Sequence, residues 1–220
     1  MPLKRHPLPI DLIILDLDGT ITDSIPPAVE AIQAMIKKLG FPYRTKKEIN
    51  GYVGYGEIPL VSGAIQTNEP GPLKKAMKLY EDIYMKKGLK KVTLYPHVRE
   101  FLEHFKDKTK AILSNKKDMF IKKLLRYHGL TIFFAEVHGG DTAPYLKPDP
   151  HMINRMVKKY RVPKDRVLFI GDMTVDMETG RNAKVRTCAV TYGFDSKKKL
   201  KGQKPDILID DLMELRDLIF

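Results

Sequence analysis

Residues 12–24 read LIILDLDGTITDS, and the rest of the chain is organised around them. Leu12-Ile13-Ile14-Leu15 is a short unbroken apolar run, the pattern of a strand covered on both faces rather than one alternating between core and water. Asp16 stands at its C-terminal edge and Asp18 two residues further on, after which Gly19 lets the backbone turn sharply and approach a ligand. Two carboxylates at the mouth of a buried strand cost free energy unless a cation or a proton compensates them. A bound divalent metal serving catalysis accounts for the pair. In an open parallel sheet, ligands collect beyond the carboxyl ends of the strands, where this pair would sit.

Moving outward, the hydrophobic period changes. Ala28, Ile32, Met35, Ile36 and Leu39 recur at spacings of three and four, one face of a helix, and Gly40 is its stop. From there to about Leu89 the chain offers helical segments and Gly-containing loops but no buried strand. Residues 53–57 read as a loop leading into a helix face of Leu60, Val61, Ala64 and Ile65. Residues 68–72 interrupt the pattern, and 73–87 resume it with Met77, Tyr80, Ile83 and Tyr84. Such an all-helical block after the first strand predicts a small cap over residues 22–90, with a core formed by 1–21 and 91–220.

Past the cap, the rhythm alternates. Helices are predicted at 98–105, 120–128, 152–160, 177–183 and 212–218, and strands at 110–114, 135–138, 166–170, 186–190 and 206–209. Strands alternating with helices imply an α/β fold with a doubly wound parallel sheet, a Rossmann-like core.

The 220 residues suffice for one sizeable core plus a small insert. No apolar run approaches the roughly 20 residues needed to span a bilayer, so no membrane partner is expected. The start, MPLKRHPLPI, has basic residues but no uninterrupted apolar segment behind them, which argues against a secretory leader. The single cysteine, Cys188, excludes an internal disulfide, fits a cytoplasmic setting and, in the run Thr187-Cys188-Ala189-Val190, reads as buried filler. A net charge of +12 favours anionic partners. The lysines are scattered in pairs such as Lys46-Lys47, Lys74-Lys75 and Lys116-Lys117, which reads as a solvated surface rather than a nucleic-acid groove. A small phosphorylated substrate is the expected partner, and the protein a monomer or homodimer.

Four polar stations fall just after four of the predicted strands. The first is Asp16-Leu17-Asp18-Gly19-Thr20; the second is Ser114-Asn115; the third is Lys147 before Pro148, beside Gly139-Gly140-Asp141. The fourth is Gly171-Asp172 with Asp176 four residues on, on the same side of a starting helix. Taken singly each is an ordinary turn, cap or surface residue. Their registration after successive strands converges a hydroxyl, an ammonium and four carboxylates on one crevice, a site for a phosphoryl group and Mg2+. His138 and His151 lack ligand spacing to a partner, and Tyr52 and Tyr55 read as cap packing.

With DLDGT, LSN, Lys147 before Pro148 and GDMTVD in order, the chain resembles the haloacid dehalogenase superfamily of phosphatases over nearly its full length. The helical insert is similar to that superfamily's helical cap class. The stretches VGYGEIPL, LSNKK, HGGD, KPDP and VTYGF look most like its phosphoglycolate phosphatase subgroup. The resemblance implies that Asp16 is a nucleophile giving an aspartyl-phosphate, and that Asp18 is the general acid and base, starting protonated and oriented by Thr20. It implies that Mg2+ is held by Asp16, Asp172 and Asp18, the last through its backbone carbonyl, with Asp176 assisting the metal or anchoring Lys147. Ser114 and Lys147 would hold the non-bridging phosphoryl oxygens and Asn115 would add a backbone donor. The implied activity is that of a Mg2+-dependent phosphatase of a small metabolite, 2-phosphoglycolate first. A pyrophosphatase, a nucleotidase and a phosphosugar mutase stay open beside it, as does a non-catalytic module binding anions or nucleic acid.

Overall fold

The computed structural model describes residues 7–220. The basic residues Lys4 and Arg5, weighed above against a leader, lie outside the described residues. In chain order the elements begin with β1 (Leu12–Leu15) and β2 (Thr22–Asp23). A helical excursion follows: α1 (Ile25–Leu39), α2 (Lys46–Asn50), α3 (Glu57–Ile65) and α4 (Pro70–Ile83). The chain returns through β3 (Thr93–Leu94), α5 (Val98–His104), β4 (Thr109–Leu113), α6 (Asp118–Tyr127) and β5 (Glu136–His138). It ends with α7 (His151–Tyr160), β6 (Val167–Gly171), α8 (Thr174–Ala183), β7 (Arg186–Val190), α9 (Lys197–Gly202) and β8 (Ile207–Ile209).

Six parallel strands lie in the order β5-β4-β1-β6-β7-β8. Counted in chain order within the sheet this is 3-2-1-4-5-6, the doubly wound arrangement whose ligand crevice opens where the order reverses, between β1 and β6. β1 is therefore central, with Leu15 beside Ile112 on one flank and Ile170 on the other. Its four residues are fully buried, as the unbroken apolar run predicted. Ile13 and Leu15 join the core that includes Phe101, Phe120 and Ile170, while Leu12 and Ile14 pack on the opposite face with Met152, Ile153 and Met156 of α7. Burying each such side chain is worth roughly 1.5–3 kcal/mol, which makes the centre of the sheet the hardest part of the fold to move.

The cap is the helical excursion between β2 and β3. Those two-residue strands pair antiparallel, Thr22 with Leu94 and Asp23 with Thr93, as a ribbon joining cap to core. Pro26 and Pro27 open α1, where a missing N–H costs nothing, and Gly40 closes it at φ 73. The helical pattern is interrupted as expected, between α3 and α4, but it resumes earlier, because Pro70 already occupies the first turn of α4. At its far end α4 widens into a π turn over Tyr84–Gly88, where a Cβ on Gly88 would lie 2.4 Å from the Tyr84 ring. The predicted C-terminal helix is a tighter 3-10 segment, Leu212–Asp217. Cys188 is buried, and among the described residues no helix is long and apolar enough to cross a membrane.

Candidate active site

The site lies at the C-terminal ends of β1, β4 and β6. Asp16 follows β1 directly and continues its ladder, its N–H donating to the Ile170 carbonyl at 2.9 Å, so its carboxylate is delivered to the crevice by a fully buried strand. The turn at Gly19 has φ +84, and a Cβ there would lie 2.2 Å from Asp172 Oδ2; only glycine allows both the conformation and the approach. That turn carries Thr20 toward the end of β6, where its hydroxyl donates to Asp172 Oδ1 at 3.0 Å. The Phe194 N–H donates to Asp172 Oδ2 at 2.7 Å. Asp172 is thus held on both oxygens.

Asp176, in the first turn of α8, accepts the Met173 N–H on Oδ2 (3.0 Å) and the Lys147 ammonium on Oδ1 (2.7 Å). Lys147 Nζ also lies 2.8 Å from Asp16 Oδ1, an ion pair across the crevice. One oxygen from each of Asp16, Asp172 and Asp176 falls within 4.8 Å of the others, and all three residues are buried. Three carboxylates therefore face one ammonium.

The titration behaviour follows from that imbalance. Burial, with Asp176 and Asp18 adding to it and Lys147 opposing, pushes Asp16 up to about 6. Burial and then the charges of Asp176 and Asp16 raise Asp172 well above the usual carboxylate range. Burial alone would lower Lys147, but Asp16 and Asp176 hold it above its ordinary value. A buried all-oxygen donor set with uncompensated negative charge fits a hard divalent cation and suits neither a soft metal nor an isolated structural role.

Asp18 stands outside this group of three. Ser24 Oγ donates to its Oδ1, and Lys116 Nζ lies 3.2 Å from each of its oxygens. The expectation that Thr20 orients Asp18 is therefore corrected: Thr20 serves Asp172, and Asp18 is oriented by Ser24 and Lys116. Asn115 also works through its side chain. Its Oδ1 accepts the Lys147 N–H at 2.8 Å, and its Nδ2 donates to the Lys147 carbonyl at 3.1 Å and to the cap's Gly54 carbonyl at 3.0 Å. Ser114 is buried beside it and, with Asp16, Asp18 and Lys147, lines a cavity of ≈ 60 Å³. The cap contributes Val53, Glu57 and Leu60 to the cavity's lining.

A match to the haloacid dehalogenase-like hydrolase family spans residues 13–190. The chain belongs to that family. Phosphoglycolate phosphatase of Vibrio parahaemolyticus is 32% identical over 219 residues, 96% of this chain and 96% of that protein. Its namesake from Pseudomonas syringae pv. tomato is 33% identical over 211 residues, 93% of this chain and 78% of that protein. A crystal structure of a predicted phosphoglycolate phosphatase from Haemophilus somnus superposes with a TM-score of 0.88 at 25% identity, covering 94% of this chain and 96% of that one.

In this haloacid dehalogenase-like hydrolase every residue singled out from the sequence, Asp16, Asp18, Thr20, Ser114, Asn115, Lys147, Asp172 and Asp176, lies at one rim of the sheet. Three that were not singled out join them. Lys116 looked like half of a surface pair, yet it is buried, its ammonium 4.6 Å from the centre of the Tyr84 ring. Ser24 occupies the N-cap position of α1 but directs its hydroxyl to Asp18 rather than to the helix. Glu57 is a buried cap carboxylate, raised by burial, whose Oε1 accepts the Lys117 N–H at 2.9 Å. The one available signal was position: Lys116 follows the LSN station directly, and Ser24 closes the opening stretch. His138 is buried beside Glu136, 3.2 Å from its carboxylate, and away from the carboxylate group of three.

Proposed function

We propose that this hydrolase is a Mg2+-dependent phosphomonoesterase of a small phosphorylated metabolite, with 2-phosphoglycolate the first candidate, acting through an aspartyl-phosphate on Asp16. The observation that carries the reading is the meeting of Asp16, Asp172, Asp176 and Lys147 at the switch crevice, with Asp18 beside them. The names borne by the Vibrio and Pseudomonas relatives support the substrate.

Asp16, Asp172 and Asp176, with the Asp18 backbone carbonyl, would hold Mg2+, which when bound supplies the positive charge that lets a carboxylate approach a phosphate dianion. Lys147, fixed by Asp176 and by the Asn115 clamp, places its ammonium against Asp16 and against any phosphoryl oxygen seated there. Asp16 attacks phosphorus and the bond to the leaving oxygen breaks, while Asp18 gives that oxygen a proton. Asp18 then takes a proton from water as the water attacks phosphorus, and the Asp16 carboxylate departs. Ser114 donates to a non-bridging oxygen, whose charge persists through a loose transition state. Residues 22–90 act as a cap whose seating on the core excludes bulk water. A cavity of ≈ 60 Å³ has room for a handful of waters, which favours a leaving group of few atoms over a nucleotide.

Purified protein with Mg2+ should release inorganic phosphate from p-nitrophenyl phosphate and from 2-phosphoglycolate. Asp16→Asn should abolish release with an unchanged circular dichroism spectrum, and undiminished turnover by that variant removes the nucleophile and the mechanism with it. Isomerised sugar phosphate without free phosphate would identify a mutase instead.

A further inference from the structure

We propose that Lys116 is a specificity-determining residue that reads a carboxylate on the leaving group, so that the substrates of this site are short phosphomonoesters carrying an anion one carbon from the ester oxygen. The inference rests on the phosphomonoesterase reading and adds to it the residue that selects the alcohol.

Two lysines line the cavity. Lys147 is committed to Asp16 and Asp176. Lys116 stands on the other side, where the alcohol must leave. Its ammonium is backed by the Tyr84 ring at 4.6 Å and the Phe120 ring at 5.8 Å, so the direction open to it is the cavity, where Asp18 meets it. A strongly hydrated point charge held in such a place is costly unless anions face it. Glu57, the charged group on the roof, turns its Oε1 to the Lys117 N–H and adds its negative charge to that of Asp18 near Lys116, while Ile25, Val53 and Leu60 offer an alcohol no polar partner.

Distances show that a short leaving group can reach the ammonium. A proton donor works within about 2.6–3.2 Å of the oxygen it protonates. Lys116 Nζ lies 3.2 Å from both Asp18 oxygens, so it falls about 3–6 Å from the ester oxygen. In an –O–CH2–COO⁻ group the carboxylate oxygens lie about 3 Å from the ester oxygen, two carbons along. A two-carbon acid therefore spans from Asp18 to the ammonium. An uncharged or cationic group of the same length leaves the ammonium without the added charge-assisted hydrogen bond.

The test compares kcat/KM for 2-phosphoglycolate, ethyl phosphate and O-phosphoethanolamine, three alkyl esters of similar length whose far ends are anionic, neutral and cationic. Wild type should prefer them in that order. In Lys116→Met the ratio of 2-phosphoglycolate to ethyl phosphate should fall about 10- to 100-fold, the worth of one hydrogen bond to a charged group, and Lys116→Arg should keep most of it. Because both esters need the same proton from Asp18, a general loss of chemistry cancels in the ratio. An unchanged ratio in a folded Lys116→Met overturns the proposal and leaves Lys116 as a partner of Asp18 alone. If that variant does not fold, the wild-type series still decides: p-nitrophenyl phosphate cleaved without preference among the three alkyl esters overturns this inference and spares the phosphatase reading. No phosphate from any of the four esters overturns both.

Discussion

The carboxylate group at the crevice should weaken the metal-free protein, and Asp16→Asn measures by how much. Asp16 is pushed from 3.8 up to about 6, chiefly by burial. The folded state therefore binds its proton more tightly than the unfolded chain does. Below about pH 4 the group is protonated in both states and contributes no penalty. As pH rises from there through 6 the native state must surrender a proton it prefers to keep, and stability falls until the penalty is complete above 6. A shift of about two units is worth about 3 kcal/mol. Asparagine has nearly the same shape and cannot ionise. In EDTA at pH 8, Asp16→Asn should thus be more stable than wild type by about 3 kcal/mol, or about 6–12 °C in Tm for a chain of this size, with the gap closing toward pH 4. Adding Mg2+ should stabilise wild type and do much less for the variant, since binding to the native state alone raises apparent stability. Urea unfolding followed by circular dichroism, from pH 4 to 8 with EDTA or Mg2+, reads all of this. A variant equal to or weaker than wild type in EDTA at pH 8, or a difference that does not change with pH, refutes the electrostatic account of the site.

Three further outcomes are expected. Thr20→Val removes the hydroxyl that orients Asp172 and should raise the Mg2+ concentration for half-maximal activity about 10- to 100-fold, with a Mg2+ titration of turnover as the check. Gly193→Ala would place a methyl 2.3 Å from Asp172 Cβ and 2.4 Å from the Gly19 carbonyl. With backbone on one side, it should lower the urea midpoint by the equivalent of about 1–3 kcal/mol and blunt the Mg2+ response; a wild-type midpoint would show that the loop yields freely. Burial pushes the Cys188 thiol up, so the native protein should resist Ellman's reagent until urea opens the sheet, and rapid native labelling would contradict its place between β6 and β8.

What could be read in the sequence was what burial writes into it. The run before Asp16 shows its strand because a two-sided strand has no polar positions to spare, and the four stations follow because they sit at strand ends. The β2–β3 ribbon was illegible: two residues per strand carry no period. α2 did leave a signal, since Thr45 and Glu48 form a capping box, but five residues have too little apolar face to stand out. The direction of Thr20 depends on the left-handed turn before it, and nothing in DGT says which carboxylate the hydroxyl meets. Lys116 was misread because a lysine pair looks the same whether it faces water or an aromatic wall.

Asn115 ties the lid to the chemistry through main-chain groups alone, the N–H and carbonyl of Lys147 on its loop and the carbonyl of Gly54. A main-chain acceptor is offered by whatever residue occupies the position. Proteins built on this plan can therefore exchange the side chains of the lid, and with them the choice of alcohol, while the docking point persists and the reacting groups stay in register.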